Sequence, residues 1–168
     1  LTRDDTLRAW LDRHGAMIER IAQTYERRPA LVAELTQETA LALWRALPSY
    51  RSEANERTYI ARIAHNVCVS HVRKAVRSEV TGIGDDLADS LTDEAPRPDE
   101  STANAQRRAL LQQAVRDLPL SLRPVVSLHL EGFGNSEIAD ALSLTVNNVG
   151  VRLNRGKAHL KKSLGKMS

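Results

Sequence analysis

Asn147, Asn148, Arg152, Arg155 and Lys157, with Val151 among them, fall within eleven residues near the C-terminus. Their chemistry is recognition rather than bond breaking. Asn can pair bidentately with an adenine edge and Arg with a guanine edge, and both also hold phosphates. From Val146 to Ser168 there are six basic residues and no acidic one. Such side chains need a helix that can enter a groove. In Ser136–Leu142, Ile138, Ala139 and Leu142 recur at helical spacing and leave Glu137 and Asp140 on the wet side. Ser143-Leu144-Thr145 has the length of a helix-turn-helix turn, with Thr145 placed to cap the next helix. There Val146, Val149 and Leu153 are expected to pack on the first helix, and Asn147, Asn148, Arg152 and Arg155 to face outward. Ser143 stands where Gly turns most easily, and Gly150 weakens the reading helix by about 1 kcal/mol relative to Ala.

A second set of the same chemistry lies upstream. Arg62, Asn66, Arg73 and Arg77 are spaced 4, 7 and 4 apart, which puts them on one side of a helix from about 57 to 77. The opposite side carries Ile60, Ile63, Ala64, Val67 and His71. Tyr59 and a polar loop around Asn55 stand at the upstream end, where an aromatic can stack an unpaired base. His65, Cys68 and His71 at i, i+3 and i+6 spread too far round the axis for one face to present all three to a metal.

A third set has docking character. In a helix from about Leu31 to Leu47, one side (Leu31, Val32, Leu35, Ala42, Leu43, Ala46) suffices as a core stripe. Glu34, Gln37, Glu38, Leu41 and Trp44 fall on the other. An outward Leu and Trp among charges suggests a surface for a partner protein; the alternative is a central helix buried on both sides.

The remaining elements position these three. Leu7, Trp10, Leu11, His14, Met17, Ile18, Ile21 and Tyr25 mark a long core-facing helix, with His14 read as a packed, hydrogen-bonded histidine. Leu110, Leu111, Ala114, Val115 and Leu118 make a helix ended by Pro119, and Leu122, Val125, Val126 and Leu130 another. Gly132-Phe-Gly134 then delivers Asn135 or Ser136 as cap of the helix-turn-helix. Almost nothing reads as strand, so the expected fold is all-α.

Charge divides the chain. Residues 1–77 carry 13 basic against 9 acidic side chains (+4), 78–104 carry 1 against 8 (−7), and 105–168 carry 10 against 4 (+6). The acidic stretch has two Gly, two Pro and few apolar residues and reads as a flexible linker between two helical domains, 1–77 and 105–168. No apolar run approaches the ~20 residues of a membrane span and no leader opens the chain, so the expected location is the cytoplasm. The chain starts at Leu1 rather than Met, so the native N-terminus is expected to be trimmed or numbered away. The single Cys68 excludes an internal disulfide. There is no Gly-rich phosphate loop and no catalytic grouping of carboxylates, so neither an enzyme nor a cofactor is expected. A repressor with an N-terminal dimerising or sensing bundle is the rival reading; it needs a symmetric dimer and half-site DNA.

Taken in order, these segments resemble a bacterial RNA polymerase sigma factor of the extracytoplasmic-function group of the sigma-70 family. Glu34-Leu-Thr-Gln-Glu-Thr-Ala-Leu-Ala-Leu-Trp-Arg45 resembles the family's clamp-binding helix. Tyr50-Arg-Ser-Glu-Ala-Asn-Glu-Arg-Thr-Tyr-Ile-Ala-Arg-Ile-Ala-His-Asn66 resembles its promoter-melting and minus-ten-reading segment. Leu118-Pro119, Arg123, Glu137-Ile-Ala139 and Val149-x-x-Arg152-x-x-Arg155 resemble its minus-thirty-five-reading domain. The family usually has an aromatic where Glu56 stands, Asp at Ser70, Gly at Ser143 and a Thr-Val opening at Asn148-Val149. These departures bear on the promoter sequence read more than on the role.

The resemblance implies a dissociable specificity subunit that docks on core RNA polymerase through Glu34, Gln37, Glu38, Leu41 and Trp44. It would hold the minus-ten strand of promoter DNA with Asn55, Tyr59, Arg62, Asn66, Arg73 and Arg77. It would read the upstream element with Asn147, Asn148, Val151, Arg152, Arg155 and Lys157. The linker would thread the polymerase's basic RNA-exit path, and an anti-sigma factor would hold the free protein, a monomer, inactive.

Overall fold

The computed structural model describes residues 2–52, 55–80 and 102–167. Among these residues the regular structure is helical: α1 (Arg3–Gln23), α2 (Pro29–Ala46), a 3-10 turn (Leu47–Ser49), α3 (Glu56–Val80), α4 (Thr102–Arg116), α5 (Arg123–Leu130), α6 (Asn135–Leu142) and α7 (Val146–Met167). Most of the stretch expected to be a linker lies outside the described residues.

α1 begins with a reciprocal cap. The Thr2 hydroxyl accepts from the Asp5 amide at 3.1 Å, and the Asp5 carboxylate accepts from the Thr2 amide at 3.3 Å. Trp10, Met17, Ile18 and Ile21 then bury against Val32, Leu35 and Leu43 of α2 and Ile60, Ala61, Ala64 and Cys68 of α3. Pro29 opens α2, where a missing N–H costs nothing. Thr39, buried on its core side, donates its hydroxyl to the Leu35 carbonyl at 2.8 Å and so leaves no unpaired group. His14 sits 3.1 Å from Glu56, the packed and bonded role expected of it.

Two titratable groups of this unit tie stability to pH. Burial opposes a charge on Glu26, but hydrogen bonds from the Arg28 side chain and amide and from His71 outweigh it and hold its pKa at about 2. His65 is buried, with Nδ1 2.7 Å from the Tyr25 hydroxyl, and burial pushes its pKa down to about 3. In both cases the unfolded chain takes up the proton first as pH falls. Stability is therefore expected to decline below pH ~6.5 through His65, and further between ~4.5 and ~2 through Glu26. Urea midpoints across this range check it: Glu26→Gln should flatten the lower limb and leave the upper one.

The second unit is built on α7. Val149 and Leu153 bury against α5 (Val125, Val126, Leu128) and α6 (Ile138, Ala139, Ala141). Ser143 adopts φ 56°, the left-handed turn between α6 and α7; for a residue with a Cβ this costs about 1–2 kcal/mol. Thr145 caps α7 as expected, its hydroxyl accepting from the Asn148 amide at 3.0 Å. Several expectations are corrected here. Gly150 lies within α7, which runs unbroken to Met167, with Val149, Leu153 and Gly156 buried on either side of it and beyond. Val146, the first residue of α7, is 52% exposed instead of packed. Leu110 and Leu130 are also exposed. The cap of α6 is Gly134, not Asn135 or Ser136, and the Glu137 carboxylate accepts from its amide at 3.1 Å.

Gly156 is where α7 touches α5: a Cβ there would fall inside the van der Waals shell of the Val126 Cγ2 methyl, which is buried and stiff. Gly156→Ala is expected to destabilise the chain by about 1–3 kcal/mol. Urea denaturation measures the loss, and adding Val126→Ala should recover part of it.

The two units pack on each other, which the sequence did not foretell. Arg20 makes a two-pronged pair with Glu131 at 2.7 and 2.9 Å. Arg57 donates to the Glu131 carbonyl and lies 4.0 Å above the Phe133 ring. Arg62 donates to the Ala141 carbonyl at 3.1 Å and to the Asp140 carbonyl. Arg116 donates to the Gln23 carbonyl at 3.0 Å, and Arg123 stands 5.5 Å above Tyr25.

Candidate partner and nucleic-acid interfaces

Glu34, Gln37, Glu38 and Leu41 form an exposed row along α2, with Leu41 48% exposed. The helix is therefore not buried on both sides. Trp44 continues the row but is half-buried. Its indole Nε1 donates to Asp4 at 2.9 Å, and the Arg3 guanidinium lies 3.8 Å over the ring. Arg3 also donates to the Trp44 carbonyl at 2.7 Å and to the Arg45 carbonyl at 3.4 Å, two of the acceptors that the end of α2 leaves open. Arg3 and Asp4 are the residues the sequence reading missed. Nothing in their own spacing relates them to Trp44, since the contact spans about forty residues.

Along α3, Arg62, Asn66, Arg73 and Arg77 are all exposed and lie on one side, as the spacing required. Arg62 at the same time spends its guanidinium on the carbonyls of α6. Asn55 is exposed and caps α3, its side chain accepting from the Thr58 amide at 3.2 Å. Tyr59 is half-buried against Trp10 and Tyr50, with ring centroids 6.0 and 4.8 Å away, and its hydroxyl donates to the Ala46 carbonyl at 3.2 Å. Its ring thus belongs to an aromatic cluster at the loop, with part of its surface open.

α7 sorts its residues differently from the expectation. Asn147, Val151, Arg155 and Lys157 are exposed. Asn148 and Arg152, expected outward, are half-buried and joined: Arg152 Nε donates to the Asn148 side chain at 2.9 Å and its Nη1 to the Ser121 carbonyl at 2.9 Å. The pair ties α7 to the connection before α5. Asn154, exposed between Val151 and Arg155, completes the outward row and was missed, although its spacing from Asn147 and Val151 fits.

Among the described residues no three His, Cys, Asp or Glu side chains are grouped to hold a metal ion, and no helix is long and apolar enough to cross a membrane. His65 faces Tyr25, and His71 lies 3.2 Å from Glu26. Burial raises the Cys68 thiol to about 12, which keeps it protonated.

The architecture is that of a two-part, all-helical protein whose second part ends in a helix-turn-helix, with an outward row of basic and amide side chains in each part. The chain belongs to the sigma-70 family: sigma-70 region 2 matches residues 10–78 and sigma-70 region 4 matches residues 108–160. It is 28% identical over 156 residues to the ECF RNA polymerase sigma factor SigE of Mycolicibacterium smegmatis, covering 92% of this chain and 60% of that one. It is 27% identical over 152 residues to the RNA polymerase sigma factor NccH of Alcaligenes xylosoxydans xylosoxydans, covering 89% and 82%. In fold it is similar to CnrH solved in complex with the cytosolic domain of CnrY (TM-score 0.71, 22% identity, 98% of this chain and 91% of that one). It is also similar to RpoE of Bartonella quintana solved with the anti-sigma factor NepR (TM-score 0.72, 17% identity, 96% of each).

Proposed function

We propose that this chain is a promoter-specificity factor that directs core RNA polymerase to a set of promoters and melts them, the polymerase supplying the chemistry. The observation that carries the reading is the order of three surfaces. An apolar-centred row on α2 and a basic row on α3 lie within the region 2 match, and the outward row of α7 lies within the region 4 match. In this reading residues 1–77 dock on polymerase and hold the minus-ten strand, 105–168 read the upstream element, and 78–104 thread the RNA-exit path. The factor works in the cytoplasm and is restrained by an anti-sigma factor, a partner class supported by the structural neighbour solved with the anti-sigma factor NepR. Since Arg62 is bonded to α6 in the packed arrangement, using it on DNA requires the two units to part.

Purified chain added to core polymerase and a promoter library is expected to give transcripts from a small subset of templates sharing two spaced elements. Transcription no different from core polymerase alone would sink the proposal. Binding to palindromic duplexes as a dimer without polymerase would favour the repressor instead.

A further inference from the structure

We infer that Arg3 and Asp4 are positioning residues for the polymerase-docking surface, clasping the Trp44 indole in the orientation in which it meets the partner; this rests on the docking role proposed for α2. Trp44 stands one turn beyond Leu41 in the exposed row, and a tryptophan at such a place has many orientations open to it. Two consecutive side chains from the first turn of α1 remove that freedom. Asp4 fixes the ring edge through the indole N–H at 2.9 Å, and Arg3 covers a face of the ring at 3.8 Å. Arg3 is itself held by the Trp44 carbonyl at 2.7 Å, so the clasp is anchored to the backbone of the residue it orients.

End-capping of α2 accounts for the bonds from Arg3 to the two carbonyls. It does not account for the Asp4 bond, which is solvent-exposed, touches no backbone group of α2, and adds little to stability in water. What the pair does achieve is rigidity in a large amphipathic side chain beside Leu41. An aromatic anchor ordered in advance spares the association the cost of ordering it, about 0.5–1.5 kcal/mol per side chain, or roughly two- to tenfold in affinity.

Substitutions at Asp4 separate positioning from folding. Asp4→Ala and Asp4→Asn lose the same favourable charge at the N-terminus of α1, but the Asn amide oxygen still accepts from the indole. Titrating the full chain into core RNA polymerase, Asp4→Ala and Arg3→Ala are expected to bind roughly two- to tenfold more weakly, and Asp4→Asn within twofold of the parent. Fluorescence gives an independent reading. The chain has two tryptophans and Trp10 is only 2% exposed, so acrylamide reports on Trp44. Quenching should rise in Asp4→Ala and stay near the parent in Asp4→Asn. Unchanged affinity in Asp4→Ala and Arg3→Ala, with binding lost in Leu41→Glu, would overturn the clasp while keeping the docking surface. Tighter binding by Asp4→Ala would mean that the clasp shields Trp44 and would also overturn it. Unchanged binding by Leu41→Glu would instead remove the docking reading on which the inference rests.

Discussion

Gln37→Ala combined with Leu41→Glu is expected to abolish detectable binding to core RNA polymerase while leaving helical content and the urea midpoint close to those of the parent. Both side chains are exposed on α2, and Leu41 is the apolar centre of the row. At a protein interface such a central residue, desolvated on binding and ringed by polar groups, commonly costs 2 kcal/mol or more on removal. A carboxylate at that position adds the penalty of a charge buried without a partner. The two changes together should weaken binding by at least ~100-fold, from roughly 3 kcal/mol or more. In the free protein neither side chain has much to lose, so folding is nearly untouched. Trp44 is a poorer test of docking alone, because its removal also breaks the contacts to Arg3 and Asp4. Calorimetric titration with core polymerase beside circular dichroism decides the matter. Intact binding would exclude α2 as the docking face, and unfolding would show that Leu41 supports the core.

The second large effect concerns α7. Arg155 is exposed in the outward row, whereas Arg152 is half-buried and bonded to Asn148 and the Ser121 carbonyl. Arg155→Ala should therefore weaken upstream-element binding by ~1–3 kcal/mol if a base edge is lost, with the loss confined to sequences carrying that base. A phosphate contact would instead give a similar loss on every sequence and a shallower salt dependence. Arg152→Ala should weaken all upstream binding, because it loosens the seat of the reading helix, and should lower the urea midpoint as well. Transcription is compared on two templates, one duplex with both elements and one with the minus-ten region already melted. A variant that combines Arg152→Ala with Arg155→Ala should fail mainly on the first, since strand capture is assigned to α3. Equal failure on both would show that α7 does not read the upstream element.

Periodicity carried the fold a long way. Leu35, Leu43, Ile60, Ile138 and Val149 are buried where the spacing put them, since apolar faces at helical repeat have one way to leave water. The exposed rows on α2 and α3 were legible for the same reason. What could not be read were relations across the chain. Arg152 looked like a reader because its own helix gives no hint of the Ser121 carbonyl opposite it. Arg62 looked free along its strip because nothing local announces α6. Trp44 looked bare because its cover comes from the other end of the same unit. Long polar side chains choose partners by reach, and reach is a property of the folded chain.

The chemical identity of the acceptors between the two units bears on how such a protein can diversify. Arg57 and Arg62 donate to main-chain carbonyls of Glu131, Asp140 and Ala141, not to side chains. A carbonyl is present whatever residue occupies the position, so mutation in the helix-turn-helix cannot delete the acceptor. Side chains along α6 and α7 can drift, and with them the promoter that is read, without retuning the contact with α3. The donors are the half that selection has to keep. At these two arginines the second unit can change one side chain at a time and keep its acceptors, whereas the Arg20–Glu131 pair, the Arg57–Phe133 contact and the Arg116 bond to Gln23 still depend on particular side chains of the second unit.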